Sequence, residues 1–280
     1  MKLCATKSTE SDPYVAQSYL RVGLTGSTKL PKGRAHGQHK SYWGSGVSLI
    51  TPAFSNLPRM KANLFNSRAD RLRDATVIAV LRMRSASDAV EGMGVAVRGG
   101  FEAVEVTMNT PGAADALSEV AGRIDAIVGA GTVLEAEQVK EAYDAGAEFI
   151  VTPVVVPEVV EAAHSLSLPV TLGASTPTEI HTARRAGADW VKVFPAETLG
   201  GPDYIEHVLG PLDGVPLFVS GGITPENYLR YLDAGVELVG FGESVFSSQL
   251  AAQGRYDEIE RRAVNVCRRL DMYITDHAEG

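Results

Sequence analysis

From Thr76 onward, short apolar runs alternate with segments whose apolar residues recur at three- and four-residue spacing. The runs are "TVIAVLR" (76–82), "AVEVTM" (103–108), "AIVGAGTV" (126–133), "FIVTP" (149–153), "PVTLGAS" (169–175), "DWVKVFP" (189–195), "PLFVSGG" (216–222) and "LVGFGES" (238–244). Near-continuous hydrophobicity of this kind belongs to parallel strands covered on both faces. Between the runs, "EAEQVKEAYDAGA" (135–147) and "PENYLRYLDAGV" (225–236) read as amphipathic helices, and "DEIERRAVNVCRRLDMYI" (257–274) as a closing one. Eight strands alternating with helix-length crossovers predict an α/β fold, a (β/α)8 TIM barrel.

Four phrases echo one another: "AVRGGFEAVEV", "AYDAGAEFIVT", "ARRAGADWVKV" and "YLDAGVELVGF". Each puts a glycine just past a helix and enters a strand within a few residues, the pattern of a left-handed cap in a repeated helix-to-strand turn. A doubly wound open sheet is the alternative, but no G-x-G-x-x-G follows the first strand.

Composition changes the picture at the amino-terminal end. Residues 1–70 hold ten Lys/Arg against Glu10, Asp12 and Asp70, a balance of +7; the whole-chain charge of −8 then leaves −15 on residues 71–280. The basic segment is Ser- and Gly-rich, has no apolar period and lacks the apolar core of a secretory signal. It is expected to be a transit peptide or disordered leader over 1–70, with the barrel over 71–280; a plastid is the expected address because no clear Arg-rich amphipathic helix opens the chain, and a mitochondrion or the cytoplasm is the alternative. A basic nucleic-acid-binding arm is the other reading of the same composition. The acidic barrel gives no reason to expect a nucleic-acid partner. The sequence leaves open whether 56–72 caps the barrel as a helix. No apolar run approaches the roughly 20 residues that cross a bilayer, so no membrane partner is expected. Cys4 and Cys267 form no C-x-x-C, against a disulfide scaffold or zinc site.

In such a barrel the chemistry sits at the carboxyl ends of the strands. Lys192 lies among Trp190, Val191, Val193 and Phe194 in the sixth strand. A lysine there is either a buried ion-pair partner or a desolvated amine able to form a Schiff base. Glu105, between valines of the second strand, poses the same question, because a carboxyl in an apolar barrel can carry protons at neutral pH. The glycines of "VSGGIT" (219–224) and "GFGES" (240–244) predict anion-binding loops after strands seven and eight, the usual phosphate seat of this fold. Arg82 and Thr132, closing strands one and three, suit a carboxylate. His164, His181 and His207 fall in helical segments, so no metal site is expected.

These residues resemble the 2-dehydro-3-deoxy-phosphogluconate (KDPG)/4-hydroxy-2-oxoglutarate (KHG) aldolase family, class I. "VKVFPAE" is similar to the family's lysine-Phe-Pro signature, and "EVTMNTP", "IVGAGTVL", "FIVTP" and "SGGITPENY" follow in the family's order. The resemblance implies that Lys192 forms the Schiff base and Glu105 moves protons. It implies that Arg82 and Thr132 hold the pyruvate carboxylate, while Asn109, Ser220, Gly221, Gly222, Gly242 and Ser244 contact the substrate or its phosphate. It also implies no cofactor, a phosphorylated 2-keto-3-deoxy sugar acid as substrate, pyruvate and glyceraldehyde 3-phosphate as products, and a homotrimer. Asn109 stands where gluconate-type enzymes commonly carry arginine and looks more like the galactonate type. Ser220 replaces a common threonine, and Glu243 puts a carboxylate in the last anion loop. Two other readings stay open: a sugar-phosphate epimerase, which would want acid/base or metal residues at strand ends, and a catalytically silent barrel, for which Glu243 is the main argument.

Overall fold

The computed structural model describes residues 57–278. Its eight strands are β1 (Val77–Leu81), β2 (Ala103–Thr107), β3 (Ile127–Gly131), β4 (Phe149–Val151), β5 (Val170–Ala174), β6 (Trp190–Val193), β7 (Leu217–Ser220) and β8 (Leu238–Phe241). They pair in chain order, all parallel, and β8 closes on β1 through Val77 opposite Val239. Helix α1 (Leu57–Ala75) precedes the barrel. After the first seven strands come, in turn, α2 (Ala86–Arg98), α3 (Ala113–Val120), α4 (Ala136–Asp144), α5 (Pro157–Ser165), α6 (Pro177–Arg185), α7 (Gly201–Leu209) and α8 (Tyr228–Asp233). After β8 come α9 (Ser248–Ala252) and α10 (Tyr256–Ala278).

Every strand lies inside the apolar run that predicts it. The glycines of the four echoing turns, Gly100, Gly146, Gly187 and Gly235, have φ of 97°, 99°, 96° and 95°. Only glycine adopts this backbone without strain, and each turn delivers the chain into β2, β4, β6 or β8.

Alternation of side chains along the strands divides the interior in two. One core lies between strands and helices and includes Val104, Val106, Val191 and Val193. The other fills the barrel: Ile78, Ala103, Ile127, Phe149, Trp190, Phe218 and Leu238 pack with Ala69, Leu72 and Ala75 of α1. Helix α1 thereby plugs the amino-terminal end of the strands. Polar contacts fasten it there, with Arg71 Nη1 2.9 Å from Glu148 Oε2 and Arg73 Nε 3.6 Å from Glu237 Oε2. Glu237 Oε2 also accepts from Trp190 Nε1 at 2.9 Å, so the plug and the base of β6 share one carboxylate.

The boundary expected at 70/71 falls within α1. Burial of Ala69, Leu72 and Ala75 makes this helix part of the barrel unit, which therefore begins upstream of that boundary. The remainder of the expected leader, residues 1–56, lies outside the described residues. No described helix is long and apolar enough to cross a membrane.

Candidate active site

Glu105 is in register with Val80 on one side and Gly129 on the other, and Lys192 lies between Gly173 and Phe218. Both side chains line the same cavity, and a glycine on the neighbouring strand makes room for Glu105. A Cβ on Gly131 would lie 1.7 Å from Glu105 Oε1, so the glycine that ends β3 is what allows this carboxyl its place.

Above this layer opens a cavity of about 360 Å³ at the carboxyl ends of the strands. Arg82, Glu105, Thr132, Lys192, Ser220, Gly221, Gly222, Gly242 and Ser244 all line it. Nine of the ten site residues expected from sequence are thus brought together from six strands or the loops that follow them. Asn109 is the exception. Thr110 N–H donates to Thr107 O at 2.8 Å, and this tight turn leaves Asn109 exposed and outside the lining.

Lys192 is 7% exposed and Glu105 is 0% exposed. Both carboxylate oxygens of Glu105 are buried without a hydrogen-bond partner among the described residues. The hydrogen-bonded ion pair that would make the lysine purely structural is therefore not formed. Burial holds the Lys192 amine below the usual lysine range; the Glu105 carboxylate opposes that shift, and the Arg82 cation adds to it. Burial likewise pushes Glu105 up against the pull of Lys192 and Arg82. Desolvation is the largest cause at both groups, lowering the amine and raising the carboxyl. The Lys192 Nζ stands 5.1 Å from the Phe218 ring centre and 5.7 Å from that of Phe194, packing that keeps the amine dry.

The backbone around Arg82 is held on both sides. Leu81 O accepts from Thr107 Oγ1 at 3.3 Å, Met83 N–H donates to Thr110 Oγ1 at 3.1 Å, and the two threonine hydroxyls are 3.3 Å apart. Thr132 has φ 56°, a left-handed conformation costing a β-branched residue about 1–3 kcal/mol. Such strain is concentrated at functional positions, and this one sits at the cavity mouth.

In the loops after β7 and β8, a backbone N–H near each following helix is already engaged within the chain. Thr224 N–H donates to Asn227 Oδ1 at 2.8 Å ahead of α8, and Ser248 N–H donates to the Glu243 carboxylate at 3.2 Å at the start of α9. The loop after β7 turns at Gly221 and Gly222, with φ 88° and 82°. Ser244 Oγ donates to Ile223 O at 2.6 Å and binds the two loops to each other. Glu243 also lines the cavity, with its carboxylate accepting from Ser248 N–H at 3.2 Å.

Sequence reasoning missed Thr107, Pro153, Phe194 and Phe246 in the lining. Thr107 was within reach, being two residues beyond Glu105 on the same strand face. Phe246, beyond the last strand, carried no such signal. The histidines stand on the outer helices: His164 Nε2 is 3.0 Å from Asp189 Oδ2, and His207 Nδ1 is 2.6 Å from Asp203 O. Among the described residues, no three His, Cys, Asp or Glu side chains are grouped to hold a metal ion.

Comparison with known proteins points the same way as this geometry. The family described as KDPG and KHG aldolase matches residues 69–262. The 2-dehydro-3-deoxy-phosphogluconate aldolase of Haemophilus influenzae is 36% identical over 194 residues, covering 69% of this chain and 91% of that protein. The 2-dehydro-3-deoxy-6-phosphogalactonate aldolase of Escherichia coli is 35% identical over 173 residues, 61% of this chain and 84% of the relative. Among solved structures, a KDPG aldolase from Legionella pneumophila, with pyruvate captured as a covalent carbinolamine, aligns with a TM-score of 0.64 and 26% identity. That alignment spans 74% of this chain and 97% of the other. With the dry lysine, the unpartnered carboxyl and these matches in hand, the chain belongs to the KDPG and KHG aldolase family.

Proposed function

We propose that this protein is a class I aldehyde-lyase that cleaves 2-dehydro-3-deoxy-6-phosphogluconate, or its galactonate epimer, to pyruvate and glyceraldehyde 3-phosphate. The observation that carries this reading is the pairing of a desolvated Lys192 with a buried, unpartnered Glu105 in one cavity. Lys192 Nζ attacks the C2 ketone, and loss of water from the carbinolamine leaves an iminium. The C4 hydroxyl proton is removed, the C3–C4 bond breaks, and its electron pair enters the iminium to give an enamine. Glyceraldehyde 3-phosphate leaves; the enamine is protonated at C3, and hydrolysis returns pyruvate and the free lysine. Glu105 carries these protons, relayed by water, because burial raises its pKa above the ordinary carboxylate range. The iminium itself is the electron sink.

Arg82 and Thr132 hold the substrate carboxylate at the mouth, and Ser220, Gly221, Gly222, Gly242 and Ser244 hold the phosphate. Asn109, which the family resemblance places against the substrate, lies outside the cavity lining. The homotrimer implied by the family resemblance and the plastid address read from the basic leader are part of this proposal.

The decisive experiment incubates the protein with pyruvate and borohydride and maps the adduct by mass spectrometry. A reduced pyruvyl group on Lys192 is the expected result. A folded protein that takes up no adduct there overturns the Schiff-base mechanism.

A further inference from the structure

The run after Lys192 ends in Glu197, which the chemistry above does not use. Its backbone N–H donates to Gly221 O at 3.1 Å. Its Oε2 accepts from Tyr231 Oη at 2.8 Å and from Asn227 Nδ2 at 3.2 Å. The same Asn227 amide donates to Gly222 O at 3.0 Å. The approach is close as well as polar: a Cβ on Gly222 would lie 2.4 Å from Glu197 Cβ. Tyr231 is fully buried, and burial followed by the hydrogen bond to Glu197 pushes its phenol up, so it remains a donor at any physiological pH.

Two consecutive glycines have no conformational preference strong enough to orient their own peptide planes. Something outside the pair must do so, and both carbonyls are held by this cluster. We propose that Glu197 is a positioning residue: its carboxylate holds the Asn227 amide on Gly222 O and so presents the loop to the substrate phosphate, while its backbone N–H on Gly221 O ties the phosphate seat to the strand that carries Lys192. This rests on the aldolase reading for the identity of the anion. The effect is one of geometry, since a negative charge behind the loop does nothing by itself to attract phosphate.

The test compares E197A and E197Q in the full chain. It measures inorganic phosphate affinity by calorimetry, KM and kcat on both phosphorylated keto-deoxy sugar acids, and borohydride trapping of pyruvate on Lys192. E197A is expected to weaken phosphate binding and raise KM by about tenfold, with kcat changed less than about threefold and pyruvate trapping intact. E197Q keeps an oxygen to accept from Tyr231 and Asn227 and is expected to stay within about threefold of wild type in every reading. Unchanged phosphate affinity and KM in E197A overturn the inference. So does a parallel loss of pyruvate trapping, which signals general damage, or an E197Q variant as impaired as E197A, which assigns the effect to charge. A wild-type chain that binds no phosphate overturns it too. A wild-type chain that binds phosphate but traps no pyruvate defeats the aldolase reading alone, and the phosphate arm still decides the role of Glu197.

Discussion

Lys192 destabilises the fold that holds it. Its amine binds a proton less tightly in the barrel than in the unfolded chain, so the unfolded state carries more protons below the ordinary lysine range. Stability contributed at this site therefore rises with pH, from the depressed pKa up to the ordinary one. Lys192→Met should remove that dependence and raise stability at neutral pH by about 1–3 kcal/mol, seen as a higher urea midpoint, while abolishing pyruvate trapping. The sign reverses at Glu105, whose raised pKa makes the folded state the tighter proton binder; its contribution falls as pH rises through that pKa. Glu105→Gln should leave the unfolding free energy within about 1 kcal/mol at pH 7 and lower kcat by roughly 10²–10⁴-fold. The ambiguity of both residues in the sequence was real, because an ion pair and a catalytic pair call for the same residue types on the same kinds of strand. Only the missing hydrogen bond at Glu105 separated them.

Among the elements, the strands were legible and α1 was not. A parallel strand covered on both faces announces itself as an unbroken apolar run. Helix α1 places three buried residues, Ala69, Leu72 and Ala75, among Arg68, Arg71 and Arg73, and two of the three are only alanines. Such a helix reads as the end of a basic leader until the open base of a barrel is available for it to fill. Leu72→Ala should cost about 2–5 kcal/mol, measured by urea unfolding, since its side chain is 2% exposed beneath the barrel. The last β3 residue offers a second check at this scale. Gly131→Ala drives a methyl into the Glu105 carboxyl, so it should lower kcat by at least about tenfold while leaving phosphate affinity unchanged.

At the scale of the whole molecule, closure of the barrel converts six sequence-distant strands and loops into one cavity. The rate should rise with pH through the depressed Lys192 pKa, because the free amine is the nucleophile; a pH profile of kcat/KM flat through that limb counts against a desolvated lysine. Light scattering of the purified chain tests the trimer, and cleavage assays on both epimers test the substrate class. What the sequence by itself determined was the eight-strand alternation, the glycine-capped turns and the residue types at the strand ends, all written in local periodicity and backbone preference. Tertiary structure alone decided that Asn109 lies outside the cavity lining, that Glu243 lines it while accepting from Ser248, that α1 belongs to the barrel and that Lys192 and Glu105 share a cavity unpaired. Each of these depends on which distant groups meet across the barrel, and in one dimension the spacing of residues carries no such information.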